Sequence, residues 1–222
     1  MKDMIHRRRS KGKKGMKLSF NVEMSLSITK DVFLNDATNK QRFIALLGEQ
    51  LSKNNCTVYY AKSDADFIIV QKAVETAENS NTVIVGDDTD LLVLLIYHTK
   101  LNHNEIFFIP EPKKNSKCRI WNVKQVKTEL GSFVCKHILF LHTMLGCDNT
   151  SRLFGIGKGT TLKKFKANVE LQKAAEVFDS TLSTSSQIES AGERVLVVMY
   201  GGKSNESLNS LRHRKYCEKI GL

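Results

Sequence analysis

A short apolar segment followed directly by a cluster of aspartates constrains the fold of this 222-residue chain more than any other feature. Thr82–Val85 reads TVIV, and Gly86 separates it from the sequence DDTD at Asp87–Asp90. A strand without polar alternation is typical of the interior of a parallel sheet, where helices cover both faces. Acidic residues directly after such a strand lie at the carboxyl edge of the sheet, where open α/β sheets bind ligands.

The segments that precede this strand alternate between helical and extended patterns. Apolar residues at helical spacing predict a helix over residues 40–53, capped by Asn39, and a second helix over residues 65–78 that Asp64 opens. Between them, Cys56–Ala61 (CTVYYA) is rich in β-branched and aromatic residues and is predicted to be a strand. This alternation predicts an α/β fold.

The second half of the chain is predicted to be mainly helical. Two further strands are expected, over residues 105–109 and 117–121, on either side of a loop that contains both prolines. Helices are predicted over residues 123–130, 133–145, 161–178, 191–200 and 206–220, with a polar linker over 179–190. No run of 18 or more apolar residues occurs, so the sequence predicts no membrane-spanning helix.

Charge is distributed unevenly along the chain, which has a formal net charge of +11. Residues 1–20 carry eight basic and one acidic side chain, and residues 111–175 carry thirteen and four. Residues 21–110 carry seven basic and twelve acidic side chains. The basic stretches favour a polyanionic partner, most simply nucleic acid, and the acidic centre suggests carboxylates that bind cations. Five cysteines without a C-x-x-C pair indicate free thiols in a reducing compartment.

Three acidic groups are candidates for a metal centre. Asp64 and Asp66 lie in SDAD, Asp88 and Asp90 lie in GDDTD, and Asp148 lies in LGCDNT. Mg²⁺ and Mn²⁺ prefer carboxylate oxygens, and two such ions can clamp the attacking and leaving oxygens of a phosphodiester. Each aspartate alone would be an ordinary helix cap or loop residue. Their combination after apolar strands predicts metal-dependent phosphoryl transfer.

A glycine-rich segment, LGCDNTSRLFGIGKGTTLKK over residues 145–164, contains the last of these aspartates. Glycines allow close approach of the backbone to a phosphate, and the start of the following helix presents amide hydrogens to it. No P-loop pattern is present, and an ordinary turn before a helix is the other interpretation. The residues expected to bind nucleic acid in this segment are Gly155, Gly157, Lys158, Thr160, Lys163 and Lys164.

The order S-D-A-D, V-G-D-D-T-D, L-G-C-D and G-I-G-K resembles the flap endonuclease / 5′-nuclease superfamily, whose core is a PIN-like (Rossmann-like) domain. The resemblance covers roughly residues 1–168. It implies a three-layer α/β sandwich with a mainly parallel sheet, a helix–turn–helix that grips duplex backbone, and a helical tail. The implied divisions are a core over 1–145, the extension over 146–178, and a linker with C-terminal helices over 179–222. LLVLL, LHTMLGCDNTS and LNSLR are similar to PIN-like animal proteins that look transposon-associated.

The resemblance also implies the roles of individual residues. The metal ligands for two Mg²⁺ or Mn²⁺ ions would be Asp64, Asp66, Asp88, Asp90 and Asp148, with Asp66 bridging the ions and Asp148 acting through water. A basic helix would supply the scissile phosphate with Lys2 and Arg9, and Arg7 and Arg8 compete for this role as further nucleic-acid contacts. The family's first strands carry two more aspartates and would precede this sequence, so Met1 is expected to be an internal methionine of a longer product.

The predicted function is a divalent-metal-dependent nuclease that acts on DNA with junctions between duplex and single strand, in the nucleus. Because the acidic set is incomplete, a catalytically inactive module that binds nucleic acid or protein is the alternative. A Rossmann-like nucleotide-binding domain is a third interpretation, although no G-x-G-x-x-G follows the first strand. His137 and His142 are predicted to be core or surface residues rather than a metal pair.

Overall fold

The computed structural model describes residues 16–25, 27–62, 64–111, 119–147 and 150–221, which contain eleven helices and three strands. The chain divides after Lys62 into two units. Five residues with predicted roles, namely Lys2, Arg7, Arg8, Arg9 and Asp148, lie outside the described residues. Among the described helices, none is both long and apolar enough to cross a membrane.

The first unit contains helices α1 (Lys30–Leu34) and α2 (Ala37–Lys53). Asp36, rather than the predicted Asn39, caps α2, because its carboxylate accepts a hydrogen bond from the Asn39 amide at 2.9 Å. The Asn39 side chain is instead buried, donating to the carbonyls of Met16 and Phe33 and accepting from the Leu18 amide. The predicted cap residue therefore ties the segment before α1 to the start of α2.

The predicted strand at Cys56–Ala61 is wrong: this segment has no regular secondary structure. No strand in the described ranges pairs with it, and a strand exists only where a neighbour completes its hydrogen bonds. Tyr60 instead packs against Gly48 of α2 so closely that an added Cβ at that glycine would overlap the tyrosine ring. The composition of this segment favours a β-strand, but composition does not show whether a neighbouring strand is available to pair with it.

The second unit contains a small mixed sheet with the order β1-β2-β3, formed by β1 (Thr82–Val85), β2 (Ile106–Ile109) and β3 (Trp121–Asn122). β1 and β2 are parallel, with Ile84 opposite Phe108, whereas β3 runs antiparallel to β2. Ile84 and Phe108 are buried, but Val83 and Val85 on the other face are 56% and 66% exposed. The expectation that both faces of TVIV are covered is therefore not met by the described residues.

Helices α3 (Asp66–Ala77), α4 (Thr89–His98) and α5 (Val123–Leu130) cover the buried face of this sheet. The predicted helix over 65–78 is thus confirmed to within a residue, and α5 matches its predicted bounds. Gly131 ends α5 with φ of +85°, a left-handed conformation that favours glycine. The core between the helices and the sheet centres on Val70, Leu95 and Ile106.

Six helices follow: α6 (Ser132–Lys136), α7 (Ile138–Leu145), α8 (Lys158–Ala167), α9 (Val169–Asp179), α10 (Ser185–Met199) and α11 (Leu208–Ile220). The predicted single helix over 133–145 is broken at His137, and the one over 161–178 is broken at Asn168. The Asn168 side chain accepts hydrogen bonds from the amides of Glu170 and Leu171 and so begins a new helix.

Part of the predicted linker over 179–190 is helical, because Thr184 and Gln187 form a reciprocal capping box that begins α10. A second core lies between α7, α8, α9 and α10, around Phe165, Leu171 and Val195. This core contains helices on both sides of residue 178, where the predicted extension over 146–178 was expected to end. It positions the glycine-rich turn, whose Ile156 side chain is buried in it.

Candidate functional site

Two pairs of aspartates begin two helices that pack against each other, α3 and α4. Asp64 Oδ1 accepts from the Asp66 amide at 3.2 Å, and Asp88 Oδ1 accepts from the Asp90 amide at 2.9 Å. Asp88 is the N-cap of α4, whereas Ala65 and not the predicted Asp64 is the N-cap of α3. The second member lies in the first helical turn, where the helix dipole favours a negative charge. Folding thus places four predicted site residues at the starts of two adjacent helices, with the first pair one residue earlier relative to its helix than the second.

The two members of each pair differ in exposure. Asp64 and Asp88 are exposed, whereas Asp66 and Asp90 are half-buried. Asp66 and Asp90 are therefore the members of the two pairs that the protein shields more from solvent.

Asp90 lies beside a histidine that the sequence analysis assigned to the core or the surface. His142 Nε2 on α7 is 3.0 Å from Asp90 Oδ1, and both side chains are less than a third exposed. The nitrogen is buried and makes no hydrogen bond of good geometry with the described residues. The contact is therefore one between charges when the imidazole is protonated. Nothing in the spacing of His142 signals this neighbour, because 52 residues separate the two positions.

The described carboxylates do not by themselves complete a metal centre. Within the described ranges, no group of three or more His, Cys, Asp and Glu side chains lies close enough to hold one ion. The predicted pairs Asp64/Asp66 and Asp88/Asp90 are thus each assembled locally, but they do not share a three-ligand site. Asp148, the fifth predicted ligand, lies outside the described residues.

The glycine-rich segment forms a tight turn followed by a helix. The Ile156 amide donates to the Leu153 carbonyl, and Gly155 has φ of +73°, as the third position of a type II turn requires. Gly157 precedes α8 without a side-chain cap, so the first amides of α8 point outward unsatisfied by any described side chain. The helix begins at Lys158, three residues before its predicted start, which places Lys158 and Thr160 in the first turn.

The predicted basic residues of this segment divide into two kinds. Lys158 and Lys163 are exposed, as expected for contacts to phosphate. Lys164 Nζ instead donates to the Met199 carbonyl at 2.6 Å and holds α8 against the end of α10. An added Cβ at Gly157 would meet nothing within 4 Å, so packing within the protein does not require a glycine there. The space in front of this turn is open to a ligand.

Two residues of the same turn were not among the predicted contacts. Arg152 is exposed, and the Phe154 ring is 90% exposed although it is the largest apolar side chain of the segment. The sequence signal for both was present, since an arginine and an aromatic residue lie within the glycine-rich turn. What the sequence did not indicate is which of the three apolar residues, Leu153, Phe154 or Ile156, stays outside the core.

A separate cleft of about 570 Å³ contains none of the predicted site residues; Tyr97, Lys100, Lys127 and Cys135 lie along it. Lys127 Nζ donates to the carbonyls of Ile96 and Thr99, at 2.5 and 2.7 Å, and so stabilises the end of α4. Burial lowers the pKa of Lys127 and raises the pKa of the Cys135 thiol. The lysine is therefore structural and the thiol is a poor nucleophile at neutral pH.

Comparisons of the chain with protein families, with curated proteins and with solved structures found no match.

Proposed function

We propose that this chain binds nucleic acid through the basic turn–helix segment, residues 150–167. The observation that carries this proposal is an uncompensated positive charge. Between Asn149 and Val169 the chain has five basic residues and no acidic residue. Four of them, Arg152, Lys158, Lys163 and Lys166, have exposed side chains that make no ion pair or hydrogen bond with the described residues. The electrostatic potential of these four exposed basic side chains attracts a polyanion.

The proposed contacts are to the phosphate backbone. Arg152, Lys158 and the uncapped first turn of α8 present positive charge at the N-terminal end of the helix, and Lys163 and Lys166 extend it along α8. Backbone contacts of this kind fix position and carry no base sequence. We place this activity on a PIN-like α/β sandwich and in the nucleus. The support for the fold is the parallel β1–β2 pair with Asp87–Asp90 directly after β1.

The test is the salt dependence of binding, measured by fluorescence anisotropy with labelled duplex, single-stranded and flap DNA. Lys158→Gln/Lys163→Gln should bind each of them more weakly, and the slope of log affinity against log salt should fall by about 2. The matched control is Lys100→Gln/Lys136→Gln, which removes two exposed lysines outside residues 150–167. Equal losses in both double variants would indicate unspecific charge, and absence of binding by the unaltered chain would overturn the proposal.

The second candidate function is hydrolysis of phosphodiesters that depends on Mg²⁺ or Mn²⁺. The observation that favours it is the repetition of one aspartate arrangement at the starts of two packed helices. The candidate ligands are Asp64, Asp66, Asp88, Asp90 and Asp148, and Lys2, Arg7, Arg8 and Arg9 are the candidate contacts to the reacting phosphate. Since the described residues do not form a complete metal centre, binding is the function with the stronger support.

Cleavage of labelled 5′-flap and single-stranded DNA, with Mg²⁺ or Mn²⁺ and with EDTA, tests this second candidate. Asp88→Asn/Asp90→Asn is the informative variant, because asparagine is as good an N-cap as aspartate and preserves α4. Asp87→Asn in the same loop is the matched control. Cutting that needs the metal, survives Asp87→Asn and disappears in the double variant establishes a nuclease. No cutting with binding intact leaves the chain a binding module.

A further inference from the structure

We propose that Phe154 stacks on an unpaired base of the nucleic acid that the basic turn–helix segment holds. The inference rests on the proposed binding function and adds a preference for the kind of nucleic acid. The Phe154 ring is 90% exposed, so nearly all of its surface faces water. Aromatic side chains in this state, next to basic residues, are the platforms on which single-stranded nucleic acids stack.

The turn holds Phe154 outside the core by its backbone. Leu153 and Ile156, on either side, pack into the core around Phe165. The hydroxyl of Tyr200 donates to the Phe154 carbonyl at 3.0 Å, which joins the corner of the turn to the end of α10. With Leu153, Ile156 and the Phe154 carbonyl engaged, the phenylalanine ring is left facing solvent. The ring therefore stands on an ordered support rather than on a loose loop.

The charge around Phe154 separates it from an ordinary exposed apolar residue. Arg152 precedes it by two residues and Lys158 follows it by four, both exposed. Leu182 is equally exposed, at 90%, but residues 176–193 around it contain four acidic and no basic residues. A polyanion would approach Phe154 and avoid Leu182. Leu182 is thus a control within the same chain for exposure without positive charge.

The geometry selects unpaired bases over continuous duplex. In a duplex the faces of the bases are covered by their neighbours, and only the phosphate backbone faces a turn of this kind. An unstacked base in a single strand, or at its junction with a duplex, offers the face that a phenyl ring needs. Stacking tolerates any sequence because every base has an aromatic face. The segment should therefore hold phosphates with its lysines and an adjacent base with Phe154.

The experiment compares Phe154→Ala with Leu182→Ala in anisotropy titrations of single-stranded, flap and blunt duplex DNA at several salt concentrations. Phe154→Ala should weaken binding of the single-stranded and flap substrates about tenfold and that of the blunt duplex less than about twofold. The salt slope should stay unchanged, because no phosphate contact is removed. Phe154→Trp should restore binding, and Leu182→Ala should bind like the unaltered chain.

Each of the other outcomes would overturn either the stacking proposal alone or both proposals. Binding by the unaltered chain that Phe154→Ala leaves intact overturns the stacking and leaves backbone binding standing. An equal loss on duplex and on single strand also overturns the stacking, because it assigns the ring to a contact that needs no free base. No binding by the unaltered chain overturns both proposals. Thermal melting of the two alanine variants checks that neither change unfolds a chain whose substituted side chains are both exposed.

Discussion

The second unit contains two regions that differ in how completely they are packed. The α/β region, residues 64–130, buries one face of its sheet and leaves Val83 and Val85 on the other face exposed. The helical region, residues 132–221, encloses a core in which the Phe165 ring contacts those of Phe133 and Phe140. The aspartate pairs belong to the first region and the basic turn–helix segment to the second.

Polar contacts distinguish the helical region further, because several of them join its helices. They are His137 Nδ1 with Asp179 at 2.5 Å, Lys164 with the Met199 carbonyl at 2.6 Å, and Arg194 with Glu170 at 2.6 Å. The comparison shows that the basic turn–helix segment lies in the more closely packed of the two regions, where contacts between helices support it. Rigid support of this kind is what a binding residue on a turn requires.

The largest expected effect tests whether the helical region is as closely packed as its geometry indicates. Phe165→Ala removes a ring that is 1% exposed and should lower the free energy of unfolding by about 3–5 kcal/mol. Val85→Ala, on the open sheet face, should change it by less than about 0.5 kcal/mol. Urea denaturation measures both. A large cost for Val85→Ala would show that another part of the protein covers this face.

The next prediction concerns the close contact between Gly146 and the backbone of Arg152, at the start of the basic turn–helix segment. Gly146 has φ of +87°, and an added Cβ would lie 2.8 Å from the backbone nitrogen and Cα of Arg152. Gly146→Ala should therefore cost about 2–4 kcal/mol, the sum of backbone strain and overlap. Gly155→Ala also has a positive φ, of +73°, but its Cβ would meet nothing, so strain alone should cost about 1–2 kcal/mol. Equal costs would contradict the close approach at Arg152.

A smaller effect is expected for the contact between His137 and Asp179. The His137 ring is fully buried, and Asp179 is the one described hydrogen-bonding partner of its Nδ1. Asp179→Asn keeps the size of the side chain but removes its charge, and it should lower the free energy of unfolding by about 1–2 kcal/mol. Glu176→Gln, an exposed neighbour on α9, serves as the control. Identical melting temperatures for the two variants would show that the contact does not stabilise the region.

The smallest expected effect concerns Glu206, and it is measured as a change in how stability depends on pH. Hydrogen bonds from the Arg214 side chain and from the Lys203 amide lower the pKa of Glu206 from 4.5 to about 2. Because the folded pKa lies below the unfolded value, its stabilisation is present above pH 4.5 and is lost as the pH falls towards 2. Glu206→Gln should thus flatten the fall of melting temperature over this window.

The control for this pH series is Glu189→Gln, which removes an exposed carboxylate of α10. Its melting temperature should follow that of the unaltered chain from pH 5 to 2, within the window that the pKa of Glu206 defines. If Glu206→Gln and the unaltered chain lose stability in parallel as the pH falls, the ion pair with Arg214 does not stabilise the fold.

Local patterns predicted the elements whose ends are marked in the sequence. The strand at Thr82–Val85, the helix over 65–78 and the helix over 123–130 are confirmed, because apolar spacing and a terminal glycine or asparagine define them. The breaks at His137 and Asn168 were not predicted, since apolar residues continue at helical spacing through both. Apolar periodicity shows which side of a helix is apolar but not where a helix stops, and at Asn168 a cap formed by one side chain interrupts it.

The candidate site also contains some contacts that depend on local sequence and others that depend on how the helices pack. The hydrogen bonds within each aspartate pair join residues two apart at a helix start, so they depend on local sequence alone. The contact between Asp90 and His142, and the use of Lys164 to hold Met199, join residues 52 and 35 positions apart. Contacts of that kind depend on how helices pack, which no spacing along the chain records.

For this protein, the order of residues determined its charge asymmetry, its apolar β1 strand and the aspartates that begin α3 and α4, because these depend on neighbours within a few positions. Tertiary structure decided which apolar residue of the glycine-rich turn stays exposed, which lysine turns inward and which face of the sheet stays open. Those outcomes follow from competition for a limited core: once Leu153 and Ile156 occupy it, the Phe154 ring is left in solvent.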